Sequence, residues 1–319
     1  MHSTGGGPRI VVIGGGTGLS VLLKGLKRYS SNLTAIVTVT DDGGSSGRLR
    51  NELGVLPPGD IRNCLVALAE TETLMDKVFQ HRFRHGCGLG GHNLGNLLLV
   101  AMTEITGDFI SAIKEVSKVL AVRGTILPAT LEHVTLAAKM RDGTVVFGET
   151  SIREYRSSIE RLFLTPSQCM PVPDTIDAIM AADAVIVGPG SLYTSIIPNL
   201  LVNDVTEAIA LSTATTIYVS NIMTEQGETD NFSSADHLRV IRDHIGRQIF
   251  DYVIVNTGTI DEDRLKRYWQ EQAVPVKAAD QEIAEMGIKV LKQDLVAESG
   301  VAWHNPDKLA RTILGVLSQ

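Results

Sequence analysis

Residues 9–42 read Arg9-Ile-Val-Val-Ile-Gly-Gly-Gly-Thr-Gly-Leu-Ser-Val-Leu-Leu-Lys-Gly-Leu-Lys-Arg-Tyr-Ser-Ser-Asn-Leu-Thr-Ala-Ile-Val-Thr-Val-Thr-Asp-Asp42. Ile10 to Ile13 form an uninterrupted β-branched run, the pattern of a strand buried on both faces of a parallel sheet. Gly14, Gly15, Gly16 and Gly18 follow at once, ahead of an amphipathic helix expected from about Leu19 to Arg28. Backbone N–H groups in such a turn approach a ligand closely, and the helix points its positive end at the same spot. The expected site is therefore one for an anion such as a phosphate, against the alternative of a tight strand-to-helix turn with no ligand. The dinucleotide fingerprint is incomplete, because Leu19 stands where its third glycine belongs, and Ser20 stands where a Walker sequence would continue toward its lysine.

A second strand, Thr34 to Val39, runs into Thr40-Asp41-Asp42-Gly43-Gly44-Ser45-Ser46-Gly47-Arg48. Two readings of the acids stand side by side. A carboxylate pair beside a phosphate site is what Mg²⁺ takes, and an Asp at such a point also caps a turn or helix. Further on, Asp60 is placed to cap the helix through Cys64 to Ala69, and Asp60 and Asn63 are also candidates to face the ligand. In Arg84 to Asn96 there are five glycines among thirteen residues, more than a plain connector needs. His92, Asn93 and Asn96 open the next helix, where they would grip a phosphate or sugar or act as the polar cap.

The doubly wound pattern is interrupted after a helix at Asp108 to Leu120. Val134 to Met140 and Thr144 to Phe147 flank Arg141-Asp142-Gly143, a hairpin signal. An antiparallel lobe over about 128–166 is expected there, with no chemistry of its own visible. The pattern resumes with a helix at Ile176 to Ala182 and a strand at Ala184 to Val187, which ends in Gly188-Pro189-Gly190-Ser191-Leu192-Tyr193. The strand Thr215 to Val219 ends in Ser220-Asn221-Ile222-Met223-Thr224-Glu225-Gln226-Gly227-Glu228-Thr229-Asp230, and Pro306 to Leu317 reads as a final helix. Several polar strand ends in one chain suit a single cleft at the carboxyl edge of an open α/β sheet. Gly190, Ser191, Tyr193, Asn221, Thr224 and Glu228 join the candidate binding residues on that ground.

At 319 residues and 44% hydrophobic content, the chain can bury about three quarters of its unfolded surface without a disulfide or metal staple. Residues 1–8 read as a disordered polar leader and 9–319 as one domain. The net charge of −7 and 5% aromatic content argue against a nucleic-acid binder. No apolar run approaches the roughly 18 residues of a membrane helix, so no membrane insertion and a cytoplasmic location are expected. The three cysteines match no redox or zinc spacing, and the trio His85, Cys87 and His92 is too irregular for a closed metal site. Gly43 to Gly47 fits G-x-S-x-G after a strand, the pattern of a serine nucleophile, but the pattern is short and brings no defined histidine partner.

Six blocks in order, GGGTGLSVLLKGL, TVTDDGGSSGRLR, PPGDIRNCLVALAE, GHNLGNLLL, GPGSLYTSIIPNLL and NIMTEQGETD, resemble the bacterial gluconeogenesis factor family (YvcK-like). That family is a branch of the superfamily holding the 2-phospho-L-lactate transferases (CofD-like). The resemblance implies a Rossmann-like α/β fold, frequent homodimers, binding of a nucleotide sugar of the UDP-N-acetylglucosamine type, and a link from gluconeogenic growth to cell-wall synthesis regulators and cell shape. The transferase branch implies a divalent metal, such as Mg²⁺, held by acids matching the region of Asp42 and Asp60. On this reading Gly15, Gly16, Thr17 and Gly18 hold the diphosphate, supported by Ser45 and Ser46 or by Ser191. Asp42 and Asp60 face it or its metal, and His92, Asn93, Asn96 and the loop from Thr224 to Asp230 meet the base or sugar. The alternative is a metal-dependent transferase of a phosphorus-linked group.

Overall fold

The structure is a computed structural model that describes residues 7–70, 74–155, 157–270, 272–298 and 300–318. Most of the expected leader, residues 1–6, lies outside the described residues.

Strand β1 (Ile10–Gly14) is buried along its whole length and leads into helix α1 (Gly16–Leu26). β2 (Leu33–Val37) follows, then α2 (Gly44–Leu53), α3 (Gly59–Leu68), α4 (Leu74–Gln80), α5 (Leu94–Thr106) and α6 (Phe109–Val119). β3 (Thr125–Pro128) completes this half. β4 (Thr135–Met140), β5 (Val145–Phe147), α7 (Glu149–Tyr155) and β6 (Ile159–Thr165) form the inserted lobe. The second half carries β7 (Ala184–Val187), β8 (Thr215–Val219), β9 (Tyr252–Asn256) and β10 (Lys289–Gln293).

Seven strands make one parallel sheet in the order β10-β9-β8-β7-β1-β2-β3, and β5-β4-β6 make a separate antiparallel sheet. The expected α/β class, doubly wound with an antiparallel insertion, is therefore the observed one. From β1 the chain winds outward to β3 and then returns to β7 on the other side of β1. Strand order thus reverses between β1 and β7, and ligands of open α/β sheets bind at the carboxyl ends flanking such a point.

The continuous apolar strands are the source of the core: Val12, Ile13, Ile36, Ile186, Ile217 and Val253 have no measurable exposure. α1 presents Leu19, Leu22, Leu23 and Leu26 to the same core and packs on α3 and on the C-terminal helix Pro306–Leu317. These spacings put the apolar residues on one helical face, as burial against a sheet requires.

The glycine and serine stretch after β2 is helix from Gly44 on. α2 begins at Gly44 and buries Ser45 and Ser46 in its first turn. Small polar residues are favoured at a helix start, so the same letters serve either conformation.

Candidate functional site

A cleft of about 710 Å³ opens where β1 and β7 end, within the size range of small-molecule sites. Its floor is the β1–α1 turn. Gly16 has φ +63°, which admits the sharp entry into α1, and its N–H donates to Asp60 Oδ2 at 2.7 Å. The N-cap residue of α1, Gly15, has no side chain to cap with, and with the Gly16 N–H taken by Asp60 the first-turn residues Thr17 and Gly18 line the cleft beside it. Opposite lies the turn after β7. A Cβ on Gly18 would stand 2.5 Å from the Pro189 carbonyl oxygen, so the two turns touch backbone to backbone. Asn221 Oδ1 accepts from the Gly190 N–H at 3.4 Å, and its amide donates to Glu225 Oε1 at 3.2 Å, which ties in the turn after β8. Thr224 is buried and exchanges two hydrogen bonds with Val274.

Of the residues singled out in the sequence, Gly15, Gly16, Thr17, Gly18, Asp60, Asn63, Gly190, Ser191, Asn221, Thr224 and Glu228 line this cleft. Several others are placed elsewhere. Asp42 turns away: its Oδ1 accepts from the N–H of Thr150 at 2.9 Å and from its hydroxyl at 2.7 Å, holding the start of α7. Asp41 lines the cleft in its stead, while also accepting from the Gly43 N–H at 2.9 Å. Asp60 does not cap its own helix; α3 has no side-chain cap.

Ser45, Ser46, His92, Asn93 and Asn96 are all buried, in a network that joins α2 to α5. Ser45 Oγ lies 3.1 Å from His92 Nδ1 and accepts from the Asn93 N–H at 3.2 Å. Asn93 Oδ1 in turn accepts from the Asn96 N–H, and the Asn96 amide donates to Ser46 Oγ at 3.5 Å. The serine within G-x-S-x-G thus has a histidine neighbour, yet both are sealed in the packing and neither lines the cleft. Tyr193 is also buried, in a single π-helical turn, with its ring edge-on to His244. Period and turn signals place a polar residue near a strand end, but not on the wall that faces the cleft.

The cleft-lining residues that carry no local sequence signal come mainly from the insertion and the C-terminal segment. Glu149 and Arg153 of α7 line the cleft, as do Tyr268, Trp303 and His304. The insertion therefore supplies part of the site. Its only sequence signal was an acid and an arginine four positions apart, ordinary for an exposed helix.

The cleft is acidic. Among the described residues, Asp41, Asp60, Glu149, Glu225 and Glu228 line it, against Arg153 alone of the arginines and lysines. Burial raises the Asp60 carboxyl to about 6, with the Gly16 N–H opposing and the charge of Asp41 adding to the rise. Burial, reinforced by Asp41, raises Glu149 to about 8 despite Arg153. Burial holds His304 down at about 4, so its ring is neutral near pH 7. A phosphorylated ligand in such a cleft calls for a cation beside it. Asp41 and Asp60 offer hard oxygen donors next to the α1 N-terminus. No three His, Cys, Asp or Glu side chains among the described residues are grouped to hold a metal by themselves. That donor set fits Mg²⁺, which is held by one or two carboxylates and completes its shell with water and phosphate oxygens. His85, Cys87 and His92 form no metal group: Cys87 is exposed, and His92 is buried against Ser45.

Residues 10–296 match the family described as 2-phospho-L-lactate transferase CofD. The chain is 50% identical to the gluconeogenesis factor of Bacillus subtilis over 313 residues, covering 98% of this chain and 99% of that protein. The chain belongs to the CofD family, among its gluconeogenesis factors. A putative gluconeogenesis factor of a Nostoc species is 53% identical over 311 residues, which are 97% of this chain and 68% of that one. A crystal structure of a UPF0052 family member from Bacillus halodurans superposes with a TM-score of 0.94 at 50% identity, covering 97% of this chain and 99% of the other. The likeness of the gluconeogenesis factors thus spans both halves of the sheet and the inserted lobe.

Proposed function

We propose that this protein is a regulatory receptor for a nucleotide sugar of the UDP-N-acetylglucosamine type, linking gluconeogenic growth to cell-wall synthesis and cell shape. The observation that supports the reading is the first turn of α1, where Thr17 and Gly18 meet the β7 turn at the switch point in one cleft, the place we assign to a diphosphate. Tyr268 and Trp303 line the same cleft and offer aromatic surface for a base or sugar. The relatives named gluconeogenesis factors support the gluconeogenic part of the reading. In this scheme the protein works in the cytoplasm as a homodimer and signals to proteins that control wall synthesis.

Isothermal titration with UDP-N-acetylglucosamine, with and without Mg²⁺, tests this. Saturable binding with no turnover of the sugar nucleotide is expected; absence of binding under both conditions would overturn it. A second reading, a metal-dependent transferase of a phosphorus-linked group, is favoured by one observation: Asp41 and Asp60 stand together beside the phosphate seat. Release of a nucleotide product from a donor, lost in Asp60→Asn, would decide for it.

A further inference from the structure

Arg153 is the one arginine or lysine that lines the cleft among the described residues, and it comes from the inserted lobe. Its Nε donates to Glu228 Oε1 at 3.0 Å, and one terminal nitrogen lies 3.3 Å from Ser191 Oγ and 4.0 Å from Glu225 Oε2. The partners differ in freedom: the Arg153 side chain is 50% exposed and that of Glu228 only 3%. Glu228 Oε2 is buried with no hydrogen-bond partner. A buried carboxylate oxygen in that state is costly unless it carries a proton or gains a donor.

We propose that Arg153 is an exchangeable anion clamp, bound to Glu228 while no ligand is present and turning onto a ligand phosphate seated against Ser191, with Glu228 taking a proton from solvent as it is released. The ligand class, a diphosphate-containing nucleotide, rests on the function proposed above; the exchange is additional to it.

The charges around Glu228 determine the direction of the proton. From its own turn it faces Glu225; from α7 it faces Arg153 and Glu149; from the π-helical turn it faces the Tyr193 hydroxyl. Arg153 is the only cation in that set. Burial and then Glu225 push the Glu228 carboxyl above the usual carboxylate range, and Arg153 is what opposes them. Once the guanidinium leaves, every remaining charge favours the neutral acid, and an arriving phosphate adds to the effect. Ligand binding then takes up protons, so affinity declines as pH rises through the region where the free protein has lost the Glu228 proton and the complex retains it. The 3.3 Å approach to Ser191 means the guanidinium already borders the diphosphate seat, so a side-chain rotation suffices.

Titration calorimetry of the full chain in buffers of differing ionisation enthalpy, near neutral pH, tests the exchange with UDP-N-acetylglucosamine and with inorganic pyrophosphate, both with Mg²⁺. The wild type is expected to take up a fraction of a proton on binding. Arg153→Gln is expected to weaken binding by about tenfold or more, the scale of one lost charge-assisted contact. Glu228→Gln is expected to do the opposite, tightening binding and sharply reducing proton uptake, because the arginine no longer has to leave a carboxylate. A purely structural ion pair predicts that both substitutions weaken binding alike. Weakening by both, or wild-type binding without proton exchange, would overturn the clamp and leave the nucleotide-sugar reading standing. Pyrophosphate binding with these responses but no UDP-sugar binding would keep the clamp and remove that reading. Binding of neither ligand would remove both.

Discussion

The Gly16 N–H donates to Asp60 Oδ2 at 2.7 Å, joining the start of α1 to the start of α3 across 44 positions of sequence. Burial raises this carboxyl to about 6 even so. An acid raised in the folded state binds its proton more tightly there than in the unfolded chain, so its contribution to stability is complete below about pH 4 and is lost as pH rises to about 6. Asp60→Asn has no such proton to lose. Its stability relative to wild type should rise between pH 4 and pH 7 by up to about 2–3 kcal/mol. Denaturant midpoints at the two pH values measure this; a flat difference would mean that Asp60 is not raised.

The contact between Gly18 and Pro189 makes a second prediction. A Cβ at position 18 would lie 2.5 Å from a backbone oxygen, which cannot swing aside as a side-chain end could. Gly18→Ala should therefore push the two cleft-lining turns apart, destabilising the fold by about 1–3 kcal/mol. Nucleotide binding should weaken by more than the loss of stability explains, since the seat itself is widened. Thermal unfolding together with titration separates these effects. Unchanged binding would show that the diphosphate does not rest between the turns.

The two turns that meet at the cleft were legible in the sequence because their parts are local. Glycines after a buried β-branched run specify a turn whose position follows from the strand, as with Gly15 to Gly18 and Gly190. What was not legible depends on direction and on distant chain. Asp41 and Asp42 are adjacent, and along an extended backbone adjacent side chains point to opposite sides. One therefore faces the cleft and the other Thr150, 108 positions away. No local pattern says which. Arg153 was hidden for a related reason, since an acid and an arginine four positions apart on a short helix look like a solvated pair until the fold brings α7 to the cleft. His92, Asn93 and Asn96 read as ligand contacts because a helix start serves a cap and an anion equally well, and here their partners are Ser45 and Ser46.

That same network predicts what the G-x-S-x-G serine does. Ser45→Ala removes the acceptor of the Asn93 N–H and the neighbour of His92 Nδ1, leaving buried polar groups unpaired. A loss of about 1–3 kcal/mol of stability is expected. Hydrolysis of activated esters should be absent from the wild type and from the variant. Turnover in the wild type that Ser45→Ala abolishes would contradict the packing role.

The two adjacent acids allow the cleft chemistry and the lobe anchor to be separated. Asp42 holds the first turn of α7 through two hydrogen bonds to Thr150, and losing such a cap typically costs about 0.5–2 kcal/mol. Asp42→Ala should accordingly raise amide exchange across 148–155, with a modest drop in global stability. Mg²⁺ dependence of nucleotide binding should persist, because this carboxylate does not line the cleft. Asp41→Asn should do the reverse, since the residue does line the cleft beside Asp60. It should leave exchange in α7 near wild type and remove most of the gain in affinity that Mg²⁺ confers. Hydrogen exchange and titration with and without Mg²⁺ on both variants decide the matter. Should Asp42→Ala abolish the Mg²⁺ effect while Asp41→Asn preserves it, the metal would belong to the acid that caps the lobe, and α7 would have to shift for the site to form.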